Sequence, residues 1–314
     1  MNQRQSSERQ LVAVIGRGVV PTDEPFIYAD DLGLTRGDGC FDATVVFAST
    51  ARGGASDSSD SADGPGAQGT HEREVLHLDR HIDRLGRSAS ALQLNGPEPR
   101  EWADLVAAAL ASRHAPTVES MLKLVLERGR EDHDGGPVGY LTVTPLPDSS
   151  FAERRGIAVA SMSGGRTADA FADAPWLLGG VKTIAYATNL AAKREAQSRG
   201  AADALFVSTD GYALEAPTAA LIVRLGDELV TTPTGPTGVL ASITAATLFE
   251  AAQAEGLTCT HRLMRMEEVH DSDGAWLVSS VRGIAPVQRL DDREVAFDDA
   301  WHQRITALAG FPPP

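Results

Sequence analysis

The chain has 314 residues, 42% of them hydrophobic, more than one compact domain usually holds and enough for two closely packed ones. A formal net charge of −15 works against nucleic acid and anionic membrane surfaces as partners, and leaves any anionic small molecule dependent on a locally basic pocket. Two widely separated cysteines, an N-terminal MNQRQSSERQ without an apolar core, and no apolar run of the roughly 18 residues needed to span a bilayer predict a cytoplasmic protein.

From the N-terminus, LVAVIGRGVV (11–20) is rich in β-branched residues and stops at Pro21, which predicts a strand and a turn. FDATVVFAST (41–50) predicts another strand, running into ARGGASDSSDSADGPGAQGTHER (51–73), whose Gly, Ser and Asp content predicts a flexible hairpin insertion. VLHLDRHIDRLGRSASALQL (75–94) changes to helical spacing, with Ile82, Leu85, Ala89 and Leu92 on one face, and EWADLVAAALAS (101–112) repeats the habit. MLKLVLERG (121–129) and VGYLTVTPL (138–146) predict paired strands, and IAVASMS (157–163) one more.

GGRTADAFADAPW (164–176) lacks periodicity and predicts a linker between an N-terminal domain, 1–163, and a C-terminal domain, 177–314. ATNLAAKREAQSRG (187–200) predicts a helix closed by Gly200. ADALFVSTDGYALEA (202–216) predicts two strands about an Asp-Gly turn, and AALIVRLGDELVTTP (219–233) repeats that pattern at Gly226-Asp227. ITAATLFEAAQAEG (243–256) predicts a further helix. The expected fold class is α/β (α+β mixed), in two domains and without internal repeats.

Four places could carry chemistry. Lys182, in GGVKTIAYATN, lies in a weakly charged stretch, and a desolvated lysine offers a free amine that condenses with a carbonyl. Glu215 precedes an apolar run of small residues, where a carboxylate needs a cationic partner such as a protonated ring nitrogen. Arg84 follows His81 by three positions on the predicted helix, where a guanidinium could clamp a phosphate. The run LASITAATLF (240–249) supplies a Ser/Thr-bearing helix start, whose free backbone N–H groups could hold a phosphate oxygen. Taken singly, each has an ordinary counterpart: a solvated lysine at a helix entry, a strand-end acid facing water, a basic solvated face, any N-capped helix.

Together and in this order, the segments DLGLTRGDGCF (31–41), HIDRLGRSA (81–89), VKTIAYATNLAAKREAQSRGAADALFVSTDGYALEAPTAALIV (181–223) and VSSVRGIAPV (278–287) resemble the class IV (fold type IV) pyridoxal-phosphate enzymes. That family comprises branched-chain aminotransferases, D-amino acid aminotransferases and aminodeoxychorismate lyases. The resemblance implies a smaller N-terminal α/β domain, a larger C-terminal mixed-sheet or pseudo-barrel domain, bound pyridoxal 5'-phosphate, a small anionic substrate, no metal, and a homodimer. It makes Lys182 the Schiff-base lysine, Glu215 the partner of the pyridine nitrogen, and Arg84, Ile243 and Thr244 the phosphate ligands. Tyr186 would lie near the cofactor's phenolic oxygen.

Several positions depart from the pattern. Ser242 and Ala245 flank the Ile-Thr pair where many relatives have glycine and arginine, and Val281, preceded by Ser279 and Ser280, replaces a threonine. The family's arginine after the GDG-containing strand is absent, since VVF occupies 45–47. Within the family, GDGCF and LERGREDHDGGPVGYLTVTP look most like aminodeoxychorismate lyases, with Arg128 and Arg130 as candidates for binding a substrate carboxylate, or else as solvated loop arginines. The alternatives are a transaminase acting on D-amino or branched-chain amino acids and a non-catalytic homologue; Arg130 and His133 depart from the Arg-X-His pair expected of D-amino acid aminotransferases.

Overall fold

The computed structural model describes residues 10–47, 73–112, 114–131 and 136–312. The expected insertion therefore lies, except for Arg73, outside the described residues. Six strands form the first sheet: β1 (Leu11–Val14), β2 (Gly18–Val20), β3 (Gly39–Phe47), β4 (Glu74–Val75), β5 (Ser120–Glu127) and β6 (Val138–Pro145). Their order is β2-β1-β6-β5-β3-β4, antiparallel throughout. The sequence predicts one strand over 11–20. The structure instead folds it into a tight hairpin, because Gly16 and Gly18 adopt φ of 75° and 73°, conformations that reverse the chain at little steric cost.

One face of this sheet packs on α2 (Leu78–Ala91) and α3 (Pro99–Ala111). The predicted stripe on α2 holds, with Ile82, Leu85 and Ala89 buried against Leu122, Leu124 and Leu126 of β5. Each such Ile or Leu side chain contributes about 1.5–3 kcal/mol of burial. Period-2 alternation sends Met121 and Lys123 of β5 to the other face, with Phe41 and Ala43 of β3.

The second sheet contains β7 (Ile157–Ser163), β8 (Asp203–Val207), β9 (Ala220–Leu225), β10 (Glu228–Thr231), β11 (Thr258–His261), β12 (Gly274–Ser279), β13 (Gly283–Leu290) and β14 (Arg293–Glu294). The order is β11-β10-β9-β12-β13-β7-β8, with β14 on β13. It is mixed: β7 runs parallel to both β13 and β8, and β10 parallel to β11. Residues 157–163, which the sequence reading places before the linker, thus belong to the second sheet. The composition shift after Ser163 marks a loop, whereas the change of sheet is set by pairing with a strand more than a hundred positions away. The hairpin at Gly226 forms as predicted. In 202–216 the first arm is β8, but the second makes isolated bridges rather than a strand: Val207–Ala213, Tyr212–Arg265 and Ala216–Ala219.

Five helices accompany this sheet: α4 (Asp148–Glu153), α5 (Ala187–Ser198), α6 (Ile243–Ala254), α7 (Met266–His270) and α8 (Asp299–Leu308). Gly200 follows α5 with φ of 73°, as expected for a left-handed residue beyond the last turn. Val45 and Leu76 share one apolar cluster with Ile222, Phe249, Trp276 and Ile305, so the two sheets have a common core. No helix among the described residues is long and apolar enough to cross a membrane.

A buried acid pair joins β5 to α1 (Leu32–Arg36). Asp31 and Glu127 are buried, and Asp31 Oδ1 and Glu127 Oε1 have no hydrogen-bond partner among the described residues. Gly33 is required here, since a Cβ would fall 1.9 Å from Glu127 Oε2. Burial, and then the charge of Asp31, push the Glu127 carboxyl from 4.5 to about 7. The folded chain therefore holds more protons than the unfolded chain in that window, and this group's contribution falls as pH rises through it. Glu127→Gln is expected to raise the melting temperature relative to wild type at pH 8 and to lose that advantage near pH 4.5, as scanning calorimetry at the two pH values will show.

Candidate active site

Residues 182–184 are stitched to the start of β3. Phe41 N–H donates to Lys182 O at 2.9 Å, Ile184 N–H to Gly39 O at 3.0 Å, and Lys182 N–H to Ser88 Oγ at 3.2 Å. Gly39 allows this approach, because a Cβ there would meet Ile184 Cδ1 at 2.9 Å. The Lys182 side chain runs into a cavity of about 890 Å³ between the sheets. Its Nζ donates to Tyr186 Oη at 3.3 Å and lies 4.4 Å from the Phe41 ring centroid. Burial, then the Arg84 charge, lower its pKa to about 8, while burial raises the Tyr186 phenol to about 12. The pair is thus an amine that is easily deprotonated beside a phenol that stays protonated.

Arg84 reaches the same cavity from α2 and is itself buried. Its Nε and Nη2 donate to Asp42 at 2.7 and 2.8 Å, and its Nη1 to Ala241 O at 2.8 Å. Ala241 precedes Ser242, the N-cap of α6, whose Oγ accepts from Ala245 N–H at 3.2 Å. Ser242 and Ser280 line the cavity, whereas Ile243 and Thr244 do not; Thr244 is linked to it through a 2.8 Å bond between its Oγ1 and Ser280 Oγ.

Glu215 enters from the opposite sheet. Its backbone carbonyl accepts from Phe206 N–H and its Oε2 from Leu240 N–H at 3.2 Å. Burial raises its carboxyl to about 7, against the pull of the Leu240 N–H, Lys182, Arg166 and Arg84. Arg166 also lines the cavity, stacked at 4.8 Å on Phe171, with its Nε buried and without a hydrogen-bond partner among the described residues. Lys123 faces the cavity from β5, its Nζ 4.5 Å from the same Phe41 ring that Lys182 contacts. Burial lowers its basicity.

Lys182, Tyr186, Glu215 and Arg84 are therefore brought together. Arg128 and Arg130 are not: neither lines the cavity, Arg128 is bonded to Asp38 at 2.6 Å and to Leu92 O, and Arg130 is paired with Asp30 at 2.8 Å and stacked on Tyr28. The acids that hold them lie about ninety or more positions earlier, out of reach of a local reading. Asp42, Lys123 and Arg166 were missed, while Ser280 was noted only as a neighbour of Val281. Lys123 alone carried a local signal, a lysine alternating with Leu122 and Leu124 in a strand too apolar for a solvated face.

The chain as a whole is similar to known proteins. The family model for amino-transferase class IV matches residues 69–290, and the chain belongs to that family. It is 33% identical to the bifunctional aminodeoxychorismate lyase / D-amino acid transaminase of Mycobacterium tuberculosis over 293 residues, 91% of this chain and 93% of that protein. A fold IV transaminase from Curtobacterium pusillum superposes with a TM-score of 0.83 at 34% identity, covering 97% of this chain and all of that one. The PLP-bound form of a hypothetical aminotransferase from Mycobacterium tuberculosis gives a TM-score of 0.83 at 30% identity, covering 96% and 97%.

Proposed function

We propose that the chain binds pyridoxal 5'-phosphate in this cavity and acts as an aminodeoxychorismate lyase, converting 4-amino-4-deoxychorismate to 4-aminobenzoate and pyruvate. The observation that carries the cofactor assignment is one cavity holding an amine of lowered pKa, a buried carboxylate and a buried guanidinium on separate elements. These residues fit the group. Lys182 Nζ would be the amine for the aldehyde, Glu215 the partner of the ring nitrogen, and Arg84 the phosphate ligand, with the hydroxyl of Ser280 beside it and Thr244 behind, through its bond to Ser280. Bound there, the cofactor supplies an electron sink.

The protein's part is position and proton transfer. The Tyr186 hydroxyl keeps its proton and orients Lys182 Nζ, which would act as the base toward bound substrate. That base would take a proton from the substrate ring as the bond from the ring to the enolpyruvyl oxygen breaks, and would return it to the methylene carbon of the departing enol, which leaves as pyruvate with the ring aromatic. A cation against Glu215 favours its ionised form, so ligand binding and the charge of this acid support each other. With Arg128 and Arg130 engaged elsewhere, Lys123 is the cation for a substrate carboxylate. Lys123→Met is expected to raise KM roughly tenfold or more with a smaller change in kcat. Steady-state kinetics checks this, and an unchanged KM counts against the role.

The lyase reading is supported by the 33% identical relative, whose name carries both activities. A D-amino acid transaminase is the second reading, favoured by that same name and by the Curtobacterium transaminase. Purified, cofactor-loaded protein should release 4-aminobenzoate and pyruvate from aminodeoxychorismate faster than it transaminates D-alanine or branched-chain amino acids. The reverse order establishes the second reading, and failure to bind pyridoxal phosphate removes both. A homodimer in the cytoplasm completes the proposal; the exposed apolar side chains of Tyr28, Leu34, Trp176 and Leu177 suit a subunit contact, and the two cysteines are free thiols.

A further inference from the structure

Arg84 is held more tightly than a ligand-binding arginine needs for charge alone. Asp42 is fully buried on β3 and takes both the Nε and Nη2 bonds of the guanidinium, at 2.7 and 2.8 Å. Its Oδ1 also meets His81 Nδ1 at 2.7 Å, and its Oδ1 accepts from the N–H of Ala43 at 2.8 Å. His81 is buried as well, and its Nε2 has no hydrogen-bond partner among the described residues. Asp42, His81 and Arg84 thus form a closed buried set, completed by the Arg84 bond to Ala241 O at the entry to α6.

An arginine meant only to attract an anion would be weakened by a carboxylate at its back, and a buried ion pair adds little net stability over apolar packing. What the pair does supply is a fixed plane. A free guanidinium on its flexible stem loses rotamer freedom on every binding event, whereas one whose inner edge is already tied presents its remaining N–H groups in one direction. We infer that Asp42, steadied by His81, is a positioning residue that acts through Arg84 to set how tightly the phosphate end of the cavity holds its ligand. The inference rests on Arg84 being the phosphate ligand.

The electrostatics agree. Burial alone would raise the Asp42 carboxyl, yet the hydrogen bonds from Arg84 and His81 bring it down to about 2, so it stays ionised. Burial holds the His81 imidazole below its usual range against the opposing pull of Asp42. A neutral ring with its proton on Nδ1 is a donor to Asp42 that adds no second cation beside Arg84 and Lys182.

The test compares the wild type, Asp42→Asn, Arg84→Met and the double variant. Pyridoxal phosphate affinity is measured by titration of the stripped protein, together with the melting-temperature difference between loaded and stripped forms. Asp42→Asn is expected to weaken binding on the order of tenfold or more, the scale of losing a group that orients a ligand, and to narrow the melting difference. In the Arg84→Met background the same change is expected to do nothing further. Asp42→Glu, which keeps the charge, should recover part of the affinity. Wild-type affinity in Asp42→Asn, an undiminished effect in the Arg84→Met background, or equal melting losses in both forms with affinity unchanged would each overturn the inference. If Asp42→Asn does not fold, His81→Leu takes its place, expected to weaken binding several-fold, and wild-type affinity there overturns it too. Unweakened binding in Arg84→Met itself would instead refute the assignment of Arg84.

Discussion

Lys182→Ala is expected to abolish turnover, by roughly 10⁴-fold or more, and to remove the absorbance above about 400 nm expected of the loaded protein. The expectation rests on the placement of one amine. Two backbone bonds to β3 fix residues 182–184, and the side chain ends beside Tyr186 Oη with its pKa lowered to about 8. Among the described residues no other amine bonds Tyr186 Oη: Lys123 touches the same Phe41 ring but from the β5 side, and Lys193 also lines the cavity. Borohydride reduction followed by peptide mapping checks the result directly, because the label should fall on Lys182 alone. Label on Lys123, or a band above 400 nm surviving in Lys182→Ala, would transfer the role to another residue.

Glu215→Gln is expected to lower kcat roughly 10²- to 10³-fold, the scale of removing one preorganised electrostatic partner, while leaving the cofactor bound. The same change should stabilise the stripped protein in alkali. With its carboxyl raised by burial from 4.5 to about 7, Glu215 binds its proton more tightly folded than unfolded, so its contribution declines as pH climbs across that window. The uncharged amide does not carry that liability above pH 7. A gain in melting temperature at pH 8 coupled to a loss of activity is the pattern of a site residue kept for chemistry at some cost in stability. Calorimetry of the stripped variant and steady-state kinetics of the loaded one read the two effects separately.

How far the chain could be read before folding depended on sequence distance. Lys182, Tyr186 and Glu215 lie in one stretch, and it was the resemblance of that whole stretch to a known family, rather than any one residue in it, that singled them out. The α2 stripe, Gly200 beyond α5 and the Gly226 hairpin were legible from local spacing. Asp42 was not, since its meaning comes from contact with α2 some forty positions later, and the acid within DATVV has nothing local to mark it as buried. Arg128 and Arg130 misled, because a basic pair beside a glycine in a strand-end loop reads alike whether it faces a ligand or is already held by Asp38 and Asp30. The sheet membership of 157–163 was hidden too, as parallel partners are supplied by chain far along the sequence.

The anchoring of residues 182–184 to β3, while Glu215 hangs from the other sheet, makes any molecule gripped by both a rivet. Each half of the protein then gains whatever binding energy the ligand provides, and the loaded chain should come apart in one cooperative event, whereas the stripped chain is free to fray first on whichever side of the rivet hole is weaker.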